Sequence, residues 1–165
     1  MRWHSTWPSR RTRRTPDDPP KTTDVPTLRI ERTFAAARER VFYAWTDAAE
    51  LSRWFAPTDQ HTTKVIELEA WVGGRYRVEM HAPSGNVYTV VGTFREVRPP
   101  ERLVFTWTWE GKDMGETLVT LDLHDRDGAT HLVLTHELFP TTEMRDEHGT
   151  GWAGCLSRLA TLVTV

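Results

Sequence analysis

A chain of 165 residues fits one domain better than two and can bury roughly two-thirds of the surface its unfolded form exposes. Its 21 basic and 23 acidic residues leave a formal net charge of -2, so there is no electrostatic case for nucleic acid or a membrane surface as the main partner. A lone cysteine excludes an intramolecular disulfide and fits a reducing cytoplasm, and no apolar run is long enough to span a membrane.

Residues 1–26, MRWHSTWPSRRTRRTPDDPPKTTDVP, carry six Arg/Lys against three Asp, with five prolines and no periodic apolar pattern. They read as a disordered, basic, proline-rich leader to a domain over 27–165. SRRTRR has the look of a twin-arginine export signal, but no apolar stretch follows it, so export is not expected.

TLRIERTF (27–34) reads as a first strand, with Leu28 and Ile30 alternating with charge. The period then changes. In AAARERVFYAW the residues Val41, Phe42 and Trp45 recur at helical spacing. Asp47, with Glu50 three residues on, reads as the cap of a second short helix that ends before Pro57. From residue 62 the pattern is β: TKVIELEAWV, RYRVEMHA after Gly73-Gly74, VYTVVGTFREV after a PSGN turn, and ERLVFTWTWEG after RPPE. Gly92, inside the third of these, suggests a bend or a close backbone approach. TLVTLDLH and THLVLTHELF follow, joined across Asp127-Gly128, a strong hairpin signal. After Pro140 the helical period returns in one wide stripe of Met144, His148, Trp152, Cys155, Leu156, Leu159, Leu162 and Val163. Seven strands and three helices in this order predict an α+β fold: a mostly antiparallel sheet packed on one long helix.

The strand ERLVFTWTWEG (101–111) raises the functional question. Leu103, Phe105, Trp107 and Trp109 share one face, where two tryptophans either fill a core or wall a ligand space.

Six motifs, VFYAWTDAAELSRWFAP, GGRYRVEM, GTFREVRPPERLVFTWTW, TLVTLDL, THLVLTHELFP and HGTGW, occur in an order that resembles the START/birch-pollen-allergen (SRPBCC) superfamily. The resemblance is to its branch of homologues of the heat-shock-protein ATPase activator and runs from residue 28 to about 163. It implies a helix-grip fold, a curved antiparallel sheet wrapped around the C-terminal helix with a cavity between them. Relatives often carry Pro where Ala37 and Ala49 stand.

On that geometry the expected ligand-binding residues are Trp107, Trp109, Phe105, Tyr76, Tyr88, His136, Met144, His148 and Trp152. His136 and His148 would form a polar end to the cavity if they converge with Trp152. Most of Glu67, Glu69, Glu79, Glu96 and Glu110 are expected outside, with Arg75 and Arg77, although a buried carboxylate pair among them could do acid/base work; Cys155 is expected inside, and Trp54 or Trp71 exposed. HELF lacks the two-turn histidine spacing of a zinc helix, and neither a metal nor a cofactor is expected. The primary reading is a cytoplasmic carrier or sensor of a small apolar or aromatic molecule, monomeric or homodimeric. The same cavity would serve a polyketide-cyclase- or aromatase-like enzyme, although no catalytic constellation is visible. A third reading is an interaction protein like the chaperone-ATPase activator, which rests on fold analogy alone.

Overall fold

In a computed structural model the described residues are 25–164, so the leader expected over 1–26 lies almost wholly outside them. The order is β1 (Leu28–Phe34), α1 (Arg38–Thr46), α2 (Ala48–Trp54), β2 (Thr62–Leu68), β3 (Arg75–His81), β4 (Val87–Arg98), β5 (Arg102–Trp109), β6 (Thr117–Arg126), β7 (Ala129–Glu137) and α3 (Thr142–Val163). Each element follows the period read from the sequence, with ends shifted by up to four residues, the largest shift being at β2, which stops at Leu68 and not at Val72.

The strands form one curved antiparallel sheet in the order β1-β7-β6-β5-β4-β3-β2. Consecutive strands pair as hairpins, and β1 closes onto β7 with Leu28 opposite His136. The β6–β7 turn is tight because Asp127 and Gly128 both take positive φ, 54° and 89°, the pairing that suits right-twisted strands. Alternation puts Leu103, Phe105, Trp107 and Trp109 on the concave face together with Tyr76, Val78, Met80, Val90, Phe94, Val119, Leu121, Leu132 and Leu134, all buried.

Two caps set where helices begin. The Asp47 carboxylate accepts from Glu50 N at 3.0 Å, and the Thr141 hydroxyl accepts from Met144 N at 3.1 Å at the start of α3. The apolar stripe of α3 then packs against the sheet, burying Met144, His148, Trp152, Cys155, Leu156, Leu159 and Val163, while Leu162 stays partly exposed. Gly154 lies where the loop after α2 crosses α3: a Cβ there would stand within 3.0 Å of the Pro57 carbonyl carbon and closer to its oxygen. Arg158 reaches from α3 to the carbonyls of Arg53 and Trp54 at 3.3 and 3.4 Å, satisfying the open end of α2.

Gly92 is a point of close approach. It faces Tyr76 across the β3–β4 ladder, and the Tyr76 ring lies over it so that the phenol O–H donates to Thr106 O on β5. Thr93 N–H turns instead to Thr106 Oγ1 at 2.8 Å. A hydroxyl thus takes the place of a ladder bond between β4 and β5, and no side chain at position 92 would leave room for it.

Of the two tryptophans expected at the surface, one is there and one is not. Trp54 is 1% exposed, because its ring packs edge-on against Trp45 at 4.6 Å and its indole donates to Ala44 O at 3.0 Å; Trp71 is 60% exposed. Val104 and Thr106 are buried although their register points away from the concave face. No described helix is long and apolar enough to cross a membrane.

Candidate functional site

The end of the sheet where β5, β6 and β7 meet the start of α3 holds the two histidines, and they do converge, with ring centres 5.3 Å apart. Their protons follow from their neighbours. Trp109 Nε1–H donates to His148 Nε2 at 2.8 Å, so that nitrogen accepts, and His148 Nδ1–H must then donate to Met144 O at 2.8 Å. Trp152 Nε1–H donates to His136 Nδ1 at 3.1 Å, which leaves His136 Nε2–H to donate to Thr117 Oγ1 at 2.8 Å. The Thr117 hydroxyl passes its own proton to Trp107 O at 2.7 Å. Both rings are therefore neutral, each in one tautomer, with all four ring nitrogens engaged.

Burial enforces the neutrality. Desolvation holds His136 well below the ordinary histidine range, with the neighbouring His148 adding to the effect. Desolvation likewise brings His148 down to about 4, against the opposing bond to Met144 O. Phe139 closes over both rings, at 4.2 Å from His136 and 5.0 Å from His148. This is a satisfied polar network inside an aromatic core, and neither histidine lines the cavity described next.

The apolar space lies further along the same sheet face, beneath α1 and α2. A cavity of about 30 Å³ is bounded by Trp45, Leu51, Phe55, Leu68, Tyr76, Val78, Phe94, Leu103, Phe105 and Trp107. That holds little more than a water-sized body, against about 150 Å³ for a pocket that takes benzene. Leu68, at the end of the edge strand β2, is the one lining side chain that is only partly buried. Trp45, on α1, is buried, and its indole N–H has no acceptor among the described residues.

Of the nine expected site residues, Phe105, Tyr76 and Trp107 line the cavity; Trp109, His136, Met144, His148 and Trp152 form the histidine network or abut it. Tyr88 stands apart, half-buried near the β3–β4 turn, with its hydroxyl 3.5 Å from Asn86 Nδ2. Sequence reasoning did not single out Trp45, Leu51, Phe55, Leu68, Val78 or Phe94 as lining a site, and it placed Leu103 only on the shared strand face. Trp45, Leu51 and Phe55 were legible only as helix positions, and nothing in their spacing says that the two helices roof a gap. The other titratable groups behave as expected of a closed fold: Cys155 is buried with its thiol pushed up to about 12, and the Arg77–Glu110 pair lies outside. No group of three or more His, Cys, Asp or Glu among the described residues is arranged to hold a metal ion.

A curved seven-stranded antiparallel sheet gripping a long C-terminal helix, with two short helices between β1 and β2, defines an α+β helix-grip protein. Residues 35–164 match the family model described as Activator of Hsp90 ATPase homolog 1-like protein, and the chain belongs to that family. Among solved structures it is similar to protein CV1439 from Chromobacterium violaceum, at 30% identity and a TM-score of 0.79, over 84% of this chain and 97% of that one. The AHSA1 protein from Silicibacter pomeroyi is likewise 30% identical, with a TM-score of 0.75 over 84% and 98% of the two chains. CalU16 from Micromonospora echinospora is 26% identical, with a TM-score of 0.65 over 85% and 77%. No curated protein matches the chain.

Proposed function

We propose that this protein binds a small apolar molecule beneath α1 and α2, as a cytoplasmic carrier or sensor and not as a catalyst. The observation that carries the reading is the cavity bounded by six aromatic rings, among them Trp45 with an unmatched buried donor. Buried donors without acceptors are rare in native proteins and call for a reason. Entry is past Leu68, whose place on the edge strand lets it swing aside without breaking a central ladder. The ligand completes the packing by displacing Leu68, Leu51 and Phe55 outward.

The cyclase-like alternative needs polar groups facing the substrate. His136 and His148 would have to break bonds to Trp152, Thr117, Trp109 and Met144 before either could move a proton, which favours binding over catalysis.

Intrinsic tryptophan fluorescence during titration with a panel of planar aromatic and fatty compounds tests the proposal. We expect saturable quenching by one class, lost in Leu68→Trp, which plugs the entrance from a partly exposed position and leaves Tm unchanged. A flat titration across the panel, in a protein that melts cooperatively, refutes it.

A further inference from the structure

Trp45 differs from Trp54, Trp109 and Trp152 in a way that bears on what the cavity would take, and this inference rests on the binding proposed above. Trp54 donates to a backbone carbonyl, Trp109 to His148 and Trp152 to His136. Trp45 is packed among Trp54, Phe105 and Trp152, with ring centres at 4.6, 6.4 and 5.9 Å, and its N–H meets no acceptor among the described residues. The lining side chains are aliphatic or aromatic, and the Tyr76 hydroxyl, which donates to Thr106 O, makes no bond with the Trp45 N–H. No carboxylate, ammonium, guanidinium or imidazole lines the space.

We propose that the ligand is a neutral, flat, largely apolar molecule bearing a hydrogen-bond acceptor, such as a carbonyl or ether oxygen, which Trp45 Nε1–H recognises. Flatness follows from a lining of ring faces and edges, against which a planar body stacks with least displacement. Neutrality follows from the absence of any group to compensate a buried charge. The acceptor follows from the buried Trp45 N–H, which has no acceptor among the described residues.

Acetophenone and α-methylstyrene test this directly, because they share a shape and differ by a carbonyl oxygen in place of a methylene; benzoate adds the charge. Dissociation constants are measured on the 15N-labelled full chain, wild type and Trp45→Phe, by following the indole N–H resonances. Trp45→Phe should weaken acetophenone about ten-fold, the net contribution of one hydrogen bond, and α-methylstyrene less than about two-fold. In the wild type the Trp45 N–H resonance should move downfield with acetophenone and not with α-methylstyrene. That second reading needs no variant and stands if Trp45→Phe folds poorly. Benzoate should not bind. Equal losses for both neutral probes, equal shifts of the Trp45 resonance, or tight benzoate binding would overturn the acceptor assignment while leaving a binding site in place. Failure of every probe to bind the cooperatively folded wild type would overturn the binding proposal itself.

Discussion

Acidification should strip stability from this protein well before its carboxylates titrate. An unfolded histidine has a pKa near 6.5, whereas buried His148 titrates at about 4 and His136 lies well below its ordinary range. Between these limits the unfolded chain binds protons that the native state refuses, so stability is fully present above about pH 6.5 and falls as the pH drops. Each such group gives a slope of about 1.4 kcal/mol per pH unit, and His148 alone therefore removes about 2–3 kcal/mol between pH 6.5 and 4.5. His136 acts in the same direction. His61, lowered mainly by burial, adds to the wild-type slope, so the informative quantity is a difference between proteins. The exposed Glu31 and Glu110, held low chiefly by hydrogen bonds to Arg29 and Arg77, begin to contribute only at the acid end of this range, as the pH falls through the ordinary carboxylate value of 4.5, and do so equally in both proteins. The assay is urea unfolding at pH 7.5, 6.5, 5.5 and 4.5 for wild type and His148→Gln. The amide can still donate to Met144 O and accept from Trp109, but it does not titrate. We expect the variant's slope to be smaller by about one proton. A wild-type stability that is flat from pH 6.5 to 4.5, or equal slopes in the two proteins, would mean that the buried-network account is wrong.

Gly92→Ala should destabilise by about 2–3 kcal/mol, since its Cβ would come within 2.7 Å of the Tyr76 hydroxyl and closer still to Thr106 O; an unchanged urea midpoint would count against the close approach. Tyr76→Phe leaves Thr106 O without the phenol donor at a break in the ladder and should cost about 1–3 kcal/mol by thermal melting. Asp47→Ala removes the cap of α2 and should cost about 1 kcal/mol, whereas Asp47→Ser should restore most of it; equal losses for both would point away from capping.

Periodicity alone was enough for the elements and their faces. Strict alternation in LVFTWTW marks a strand with one apolar face, the 3–4 spacing from Met144 to Val163 marks one helix face, and Asp127-Gly128 marks a hairpin. These are local properties of the chain, repeated at intervals that each secondary structure imposes, so the order of elements and the concave set of side chains could be read directly. The polar sites were not local in this sense. His136 and His148 both pointed inward as their phases required, and their convergence with Trp152 was a legible possibility. Whether they would face a ligand or one another's neighbours was decided by contacts between β7, β5, β6 and α3, elements up to 39 residues apart in the Trp109–His148 bond.

The position of the empty space was even less accessible to the sequence. It depends on how far α1 and α2 stand off the sheet, which is fixed by the Asp47 cap between them, by Arg158 at the end of α2 and by the Pro57 loop seated on Gly154. Trp54 shows the same dependence: it was one of two tryptophans offered as exposed, yet packing against Trp45 buries it. The sequence by itself determined the inward face of each strand and of the last helix, because that is a matter of period. Only the tertiary structure decided which inward groups satisfy each other and where space remains, because pairing and cavities arise from distances between elements that no single stretch of chain encodes.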